Sequence, residues 1–319
     1  MSIAPLDPDE RTYRTQLEFA SGDRKLMLDT VFQDTSPSGS PLATVVAMHG
    51  SPGSHRDFKY VTPHLERAGL RVIGVNYPGF GHTEDSDDLL HTNEERTAFV
   101  EALIDRLGLR ECLLFLGHSR GGENALELAV RNADRCLGVV ILNPFGLRLN
   151  KAIRPRTTID NIRYYHENYS WLRGPMEWAL DQAYNRLVGL HVRTGRIAVN
   201  AVKTLTNLYL EGQQENIDKF NQSSDLRLLL CYSGNDHLIE TDISEEYVAA
   251  FEGLSHMVCV DSTEEDTVAS EIERSIVSDS CFRISVAFPN DNHFAQKKRA
   301  AVIARGVIAI AKSTVKASL

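Results

Sequence analysis

Residues 111–125 have the sequence E-C-L-L-F-L-G-H-S-R-G-G-E-N-A. Residues 112–116 form a short apolar run, which is typical of a strand buried on both faces of a sheet, and the residues after the glycines predict a helix. Ser119 stands at the apex of the turn between them, with Gly117 and Gly121 two residues to either side. This order is the layout of a nucleophile elbow, where the tight turn strains the serine backbone and larger side chains at the glycine positions would collide.

Further strands are predicted at residues 42–48, 71–76, 136–142 and 226–232, and the alternating residues 282–288 predict a last strand. Between several of them, helix N-cap residues precede apolar side chains at helical spacing, as in residues 54–69 and 92–108. Strands that alternate with helices predict an α/β fold with a mostly parallel sheet covered on both faces. Residues 11–32 instead alternate in polarity around a Ser-Gly-Asp turn, which predicts an antiparallel hairpin at the start.

The composition limits the classes of protein. The chain has 319 residues, of which 42% are hydrophobic, and it can bury either one large core or a core with a lid. The net charge of -9 argues against a nucleic-acid partner, because phosphates would be repelled. The first residues lack the basic and apolar regions of a signal peptide, and no run approaches the roughly 18 apolar residues that span a bilayer.

The cysteines and the other ligand-type residues show no metal-binding spacing. The five cysteines are odd in number and lack C-x-x-C pairing; they are Cys112, Cys136, Cys231, Cys259 and Cys281. We interpret them as buried free thiols in a reducing compartment, which predicts a cytoplasmic protein. No His, Asp or Glu cluster has ligand spacing, so we expect neither a metal nor a cofactor.

The turn after the strand at residues 42–48 has the sequence H-G-S-P-G, residues 49–53. Small residues directly after a central strand let the backbone approach a ligand with its N–H groups exposed. The turn is either an ordinary tight connection to the next helix or half of an oxyanion hole, supplied by the N–H of Ser51. In the second interpretation the neighbouring His49 and Gly50 become candidate substrate-binding residues.

Three motifs together resemble the α/β-hydrolase superfamily. They are H-G-S-P-G at 49–53, N-Y-P-G-F-G-H-T at 76–83 and G-H-S-R-G-G at 117–122. The chain is more narrowly similar to the capped branch that holds epoxide hydrolases, dehalogenases, haloperoxidases and many small esterases, over most of residues 25–146 and 225–311. Asn76 departs from the family, which usually has Asp there. The resemblance implies that the amides of Ser51 and Arg120 form the oxyanion hole, with His118 beside the substrate.

Residues 147–222 interrupt the alternation of strands and helices. They hold both tryptophans and five of the ten tyrosines, and we expect several helices broken at Gly174-Pro175, Gly189 and Gly195. They carry eleven Lys and Arg against seven Asp and Glu. The resemblance implies a helical cap at 147–222 between two parts of the hydrolase core, 1–146 and 223–319. Trp171 and Trp178 either line an apolar pocket or pack the cap on the core.

Two downstream residues complete the candidate site. Asp236 follows the strand at 226–232, where this fold places the acid that orients a histidine, whereas Asn143, at the other common position, cannot ionise. His293 lies between the last strand and the last helix, where the family keeps its catalytic base. His237, His256 and the nearby Asp291 are rivals for these roles, and Asp236 could instead be a turn-forming or helix-capping residue.

Ser119, Asp236 and His293 then follow the order of this fold. Serine needs a base within hydrogen-bond reach, which His293 would supply while Asp236 fixes its tautomer. Because the nucleophile is serine, epoxide opening and dehalogenation, which proceed through an ester on a carboxylate, are disfavoured. We expect acyl transfer from a small-molecule ester to water. A C–C bond hydrolase, a perhydrolase with the same triad and a non-catalytic ligand-binding relative remain alternatives.

The acidic stretch at 254–281 has no counterpart in the resemblance. Ser262 and Glu265 have the spacing of a capping box, and Val268, Ile272 and Ile276 follow at i,i+4 intervals. We interpret the stretch as an insert that carries a surface helix.

Overall fold

The strand that leads to Ser119 lies in the interior of a large sheet. The computed structural model describes residues 3–40, 42–278 and 282–313. Within these residues the sheet has ten strands, which are β1 Ala4–Asp7, β2 Thr12–Ser21, β3 Arg24–Asp34, β4 Thr44–Met48, β5 Arg71–Gly74, β6 Leu113–His118, β7 Cys136–Leu142, β8 Arg227–Ser233, β9 Ser255–Val258 and β10 Arg283–Phe288. Their spatial order is β1-β2-β3-β5-β4-β6-β7-β8-β10-β9.

The α-helices cover both faces and fill the long connection between β7 and β8. They are α1 Thr62–Arg67, α2 Asn93–Arg106, α3 Gly121–Arg131, α4 Arg156–Asn168, α5 Ser170–Ala183, α6 Gly195–Thr206, α7 Leu210–Asn221, α8 Thr241–Ala249, α9 Glu265–Val277, α10 Ala295–Lys298 and α11 Ala300–Ser313. The pairs from β5 to β9 are parallel, whereas β1, β2 and β3 pair antiparallel. This is the predicted α/β-hydrolase fold, a mostly parallel sheet flanked by helices.

Alternate side chains of the central strands enter two apolar cores. Leu113 and Phe115 of β6 belong to the core shared with α2, α3 and the helices between β7 and β8. Leu114 and Leu116 point to the opposite face, where α1, α9 and α11 contribute. A strand buried on both faces needs apolar residues at every position, which is why these strands appear as continuous runs in the sequence.

The chain order of the last strands decides where the candidate acid and base meet. From β8 the chain passes to the sheet edge, forms β9, and returns through α9 to β10, which lies between β8 and β9. β8 and β10 are therefore parallel neighbours, with Phe288 paired to Ser233. Because the carboxyl ends of parallel neighbours lie at one edge of the sheet, the loops after β8 and β10 come together.

The stretch at 254–281 contains the expected helix, α9, but in its described part it also adds a strand to the sheet. The stretch contains the edge strand β9, and the inner face of α9, with Val268, Ile272 and Ile276, is buried in the second core against α11. The expected capping box does not form, because α9 begins after Glu264 with no side-chain cap. Three apolar residues at i,i+4 spacing are stable only with a packing partner, and α11 is that partner.

Three smaller expectations also need correction. The first helix after Ser54 is a short 3₁₀ turn, His55–Phe58, although the Ser54/Asp57 capping box does form. Gly174-Pro175 does not break a helix, since α5 continues through it. Cys112 is exposed, whereas Cys136, Cys231 and Cys259 are buried free thiols; Cys281 lies outside the described residues. In the part of the chain that the structure describes, no helix is long and apolar enough to cross a membrane.

Candidate active site

Ser119 stands on a strained turn at the end of β6. Its φ is 51°, in the left-handed region that a residue with a side chain rarely adopts, and its N–H donates to the Leu142 carbonyl at 2.8 Å. A Cβ at Gly117 would lie 2.5 Å from the Gly121 carbonyl oxygen, and a Cβ at Gly121 would strike the Met48 carbonyl. The two glycines are therefore required by the close approach of backbone to backbone, as the sequence predicts.

Asp236 and His293 lie together at the ends of β8 and β10. His293 Nδ1 is 2.7 Å from Asp236 Oδ2, and both side chains are almost completely buried. The same oxygen accepts from Asn143 Nδ2 at 3.2 Å, while Oδ1 accepts from the N–H groups of Leu238 and Ile239 at 2.8 and 3.1 Å. Four donors hold the carboxylate, so its position is fixed independently of any ligand.

The pKa values of this pair favour a charged carboxylate beside a neutral imidazole. Burial lowers the pKa of His293 below its ordinary value, although the hydrogen bond and charge of Asp236 act in the opposite direction. Burial acts to raise the pKa of Asp236, but the hydrogen bonds from His293 and from the backbone outweigh it, and the net shift is downward. At neutral pH, Asp236 therefore accepts the Nδ1 proton and leaves Nε2 of His293 unprotonated.

His118 supports the loop that carries His293. Its Nε2 lies 3.0 Å from the His293 carbonyl oxygen, and the two rings are 4.9 Å apart. The carbonyl can only accept, so Nε2 of His118 carries the proton. His118 Nδ1 is buried without a hydrogen-bond partner among the described residues and lies 3.8 Å from Asp57 Oδ2. Ser119, Asp236, His293 and His118 are called the strand-end cluster below.

The turn at 49–53 lies directly against Ser119. A Cβ on Gly50 would be 3.1 Å from the Cβ of Ser119, so the close approach requires glycine. The Ser51 hydroxyl is 2.6 Å from the hydroxyl of Thr204 in α6, which links this turn to the helices between β7 and β8. The Arg120 side chain is fully buried away from the cavity, where it donates to Asn93 at 3.0 Å and pairs with Glu123. Arg120 is not among the residues that line the cavity.

A cavity of about 420 Å³ extends from the strand-end cluster to α4, α5 and α6. Gly50, Ser51, His118, Ser119 and His293 line it on the sheet side. Most of the remaining wall is apolar and comes from residues 145–205; it includes Phe145, Ile159, Ile162, Leu180, Tyr184, Leu187, Val202 and Leu205. A small apolar cavity with a few convergent polar groups is the usual form of a small-molecule site.

Three of the expected substrate-binding residues lie outside this cavity. His49 is buried below it, where Nδ1 donates to Gly50 O at 2.6 Å and Nε2 accepts from the Tyr77 N–H at 3.2 Å. Trp171 and Trp178 are 73% and 69% exposed on α5 and do not line the cavity. The prediction for the two tryptophans is wrong because helix periodicity shows which residues share a face of the helix but not which face meets the core.

The cavity wall also contains residues that the sequence does not single out as binding residues. His237 lines it with its ring 6.3 Å from that of His293, and Lys151 lines it while donating to the Asp236 carbonyl at 2.7 Å. His237 follows the acid directly, so its place at a strand end is a usable signal. Tyr184, in a short π-helical turn at Tyr184–Val188, carries no such signal.

Of the three rivals, His237 lines the cavity, whereas His256 and Asp291 lie away from it. His256 is on β9, with Nδ1 2.8 Å from the Ser285 hydroxyl. Asp291 is buried and pairs with Arg299, whose Nε lies 2.5 Å from Asp291 Oδ2. Among the described residues, no three His, Cys, Asp or Glu side chains are grouped so that they could hold a metal ion.

Comparisons with known proteins concern the family and the fold. Residues 9–312 match the model of a family described as alpha/beta hydrolase of unknown function (DUF1057). An uncharacterized protein of Caenorhabditis elegans is 29% identical over 297 residues, which cover 90% of this chain and 81% of the relative. An sn-1-specific diacylglycerol lipase of Mus musculus is 33% identical over 108 residues, 33% of this chain and 34% of that protein.

Among solved structures, a thermophilic esterase from Thermogutta terrifontis has a similar fold. It superposes with a TM-score of 0.60 and 16% sequence identity, covering 92% of this chain and 96% of the esterase. At this identity the likeness concerns the fold alone.

Proposed function

We propose that this chain, which belongs to the α/β-hydrolase family of unknown function that its residues 9–312 match, is a serine hydrolase that cleaves an ester or related acyl bond of a small molecule. The observation that carries the proposal is the pairing of His293 with Asp236 at 2.7 Å, on the same cavity as a serine held at φ 51°. The backbone of Ser119 and the side chains of Asp236 and His293 are held by backbone geometry and by hydrogen bonds within the protein.

The first half-reaction transfers the acyl group to Ser119. Its Oγ attacks the ester carbonyl while Nε2 of His293 takes the hydroxyl proton, and Asp236 stabilises the resulting imidazolium. The N–H groups of Ser51 and Arg120 donate to the oxyanion of the tetrahedral intermediate, each contributing about 2.7–4 kcal/mol. The C–O bond then breaks, His293 returns its proton to the leaving alcohol, and an acyl-enzyme remains.

The second half-reaction hydrolyses the acyl-enzyme. His293 takes a proton from water, whose oxygen attacks the acyl carbonyl, and the same N–H groups stabilise the second oxyanion. The Ser119 oxygen leaves with the proton from His293, and a carboxylic acid is released. No external oxidant or reductant is needed for either step.

The helices between β7 and β8 are proposed to act as the cap. Residues 147–222, called the helical segment below, supply most of the apolar cavity wall opposite Ser119. An apolar wall excludes water, which strengthens the hydrogen bonds to the developing oxyanion. It also suits an apolar acyl or alcohol group in the substrate. The division into core parts 1–146 and 223–319 follows from the same proposal.

A fluorophosphonate probe and a series of p-nitrophenyl esters of graded acyl length test this function. We expect the probe to modify the peptide that contains Ser119, and Ser119→Ala to lose ester hydrolysis by about 10⁴-fold or more while remaining folded. Ser170→Ala, an exposed serine on α5, is the matched control and should retain full activity. Near-normal turnover by Ser119→Ala, or labelling of a different residue, would remove the nucleophile assignment.

A further inference from the structure

A second cavity of about 350 Å³ adjoins the candidate active site. It shares Pro52, Leu190 and Phe294 with the first cavity, so the two are adjacent at these side chains. Its walls come from residues 52–59 and 189–193, together with His82 and the start of α10. This space, called the side groove below, lies outside the strand-end cluster, and none of the proposed steps uses its side chains.

Basic residues dominate the side groove. Its lining contains four Lys and Arg side chains and three histidines, which are Arg56, Lys59, Arg193, Lys297, His55, His82 and His191. Asp57 is the single carboxylate in this lining among the described residues. The whole chain, by contrast, has a net charge of -9. A basic cavity on an acidic protein is a local feature that the overall composition does not explain.

Three of these cations have no acidic partner. Within the described residues no carboxylate lies within 4.0 Å of Lys59, Arg193 or Lys297. Lys59 and Lys297 instead lie over the rings of Tyr60 and Phe294, at 5.0 and 4.2 Å. Most other arginines of the helical segment are neutralised, as Arg196 is by Asp85 at 2.6 Å. The side groove therefore keeps unpaired positive charge, whereas most other arginines of the helical segment are paired with acids.

The nearby acids are already engaged. Asp57 caps the turn at Ser54 and lies 3.8 Å from His118 Nδ1, while Glu10 pairs with Arg56. Arg193 Nη1 approaches the His82 ring nitrogens at 3.3 and 3.4 Å. The pKa of His82 is lowered, by burial first and then by the positive charge of Arg193 and Arg56. The charges of Arg193 and Arg56 thus contribute to the lowered pKa of His82, and the same charges would attract an anion.

We infer that the side groove binds an anionic oxygen group, a carboxylate or a phosphate, carried by the substrate. The inference rests on the proposed hydrolase function and adds the class of substrate to it. An ester seated at Ser119 with an apolar group in the first cavity can extend past Pro52, Leu190 and Phe294 into the groove. In the groove, the planar guanidinium of Arg193 offers several hydrogen-bond donors that suit either a carboxylate or a phosphate. Lys297 adds a second positive charge. The substrate is therefore an ester with one apolar end and one anionic end.

Matched esters measure this preference. The p-nitrophenyl ester of butyric acid and the mono-p-nitrophenyl ester of glutaric acid have short acyl chains, and only the second ends in a carboxylate. We expect Arg193→Gln with Lys297→Gln to lower kcat/KM for the glutarate ester at least about tenfold, since two charge-assisted contacts are lost. The butyrate ester should change less than about twofold. Raising the salt concentration should reduce the wild-type preference but not abolish it.

A control variant separates local contacts from long-range attraction. Lys219→Gln with Lys312→Gln removes the same charge from exposed positions outside the groove. An equal loss for the glutarate ester in this control would overturn the inference, because the effect would then come from net charge alone. An unchanged ratio of kcat/KM for the glutarate and butyrate esters in the groove variant would also overturn the inference. Hydrolysis of the butyrate ester would still support the proposed function.

Calorimetric titration keeps the two proposals distinguishable. Glutarate and inorganic phosphate are each titrated into the intact protein, the groove variant and the control variant. Tighter binding of glutarate identifies a carboxylate site, and tighter binding of phosphate identifies a phosphate site. Loss of binding in the groove variant alone would support the anion site, whether or not any ester is hydrolysed. If no ester were hydrolysed, the proposed hydrolase function would be wrong. Equal binding by all three proteins, or none by the wild type, would contradict the anion site.

Discussion

The strand-end cluster and the helical segment form opposite walls of one cavity, yet they are built in opposite ways. In the cluster, Asp236 accepts from four donors and His118 holds the carbonyl of His293. In the helical segment, α5 has no buried residue at all, and its two tryptophans face outward. One wall fixes individual atoms, whereas the other supplies apolar area without fixing single contacts.

This difference follows from what the two walls must do. Proton transfer needs a donor and an acceptor within about 0.3 Å of a set separation, so the groups are placed at the ends of rigid strands. Excluding water needs only enough apolar surface, and helices can supply it in many arrangements. We therefore expect single substitutions in the cluster to act on kcat, and those in the helical segment to act on KM and substrate preference.

The largest effect is expected for Asp236→Asn. The amide cannot stabilise the imidazolium, and it can favour the wrong tautomer of His293, so kcat should fall by about 10⁴-fold. The measurement is kcat for the best p-nitrophenyl ester, on protein whose folding is checked by circular dichroism. A variant with at least a tenth of wild-type kcat would show that the cluster does not work as a triad.

Asp291→Asn is the matched control, because Asp291 lies two residues before His293 and its carboxylate is also buried. Its partner is Arg299, which also pairs with Glu265 at 2.8 Å. Loss of the buried pair should lower the free energy of unfolding by about 3 kcal/mol. Turnover per folded molecule should stay within tenfold of the wild type. If Asp291→Asn lost activity and Asp236→Asn retained it, Asp291 and not Asp236 would be the acid that orients His293.

The cluster could be predicted from the sequence because each of its residues is tied to a strand end. Ser119 needs Gly117 and Gly121 beside it, and this pattern is visible without a structure. Asp236 follows an apolar run and His293 follows an alternating segment; both segments predict strands, so the place of the two residues at the sheet edge follows from these patterns. Backbone sterics and strand burial each produce a local pattern that can be recognised in the sequence.

The helical segment and residues 254–281 could not be predicted as well. The rotation of α5 is set by its neighbours, and Trp171 and Trp178 would satisfy either orientation by spacing alone. The edge strand β9 has only four residues, with an exposed outer side, so it lacks the continuous apolar run of the central strands. The rotation of α5 and the formation of β9 both depend on packing against residues distant in the chain, which short sequence patterns do not show.

A smaller effect is expected from His91 and His49, two buried histidines outside the cavity lining that resist protonation in the folded state. Burial, reinforced by Lys203 and Arg96, lowers the pKa of His91 to about 3, and burial lowers that of His49 to about 4. The unfolded chain binds protons below about pH 6.5, but the folded chain does not. Stability is therefore full above pH 6.5 and falls as pH drops towards 4, by about 1.4 kcal/mol per pH unit for each histidine.

His91→Asn isolates one of these contributions. His91 has a φ of 56°, which Asn tolerates better than most residues, and Asn does not titrate. Urea unfolding at pH 6.5 and pH 5.0 should show about 2 kcal/mol less acid destabilisation in the variant than in the wild type. Identical pH dependence in the two proteins would mean that folding does not shift the pKa of His91.

The smallest effect is expected for Trp178→Ala, and it is the most direct test of the contrast between the walls. Trp178 is 69% exposed, so its removal should change the free energy of unfolding by no more than about 0.5 kcal/mol and leave kcat/KM unchanged. Leu180→Ala, two residues further along α5, is the comparison, because Leu180 lines the cavity.

Truncating Leu180 removes apolar area opposite Ser119, so KM for the longer acyl esters should rise several-fold while kcat changes little. The measurement is KM across the graded ester series for both variants. If Trp178→Ala raised KM as much as Leu180→Ala, α5 would be rotated relative to the described structure. The tryptophans would then belong to the cavity wall, and the helical segment would bind substrate through fixed aromatic contacts instead of general apolar area.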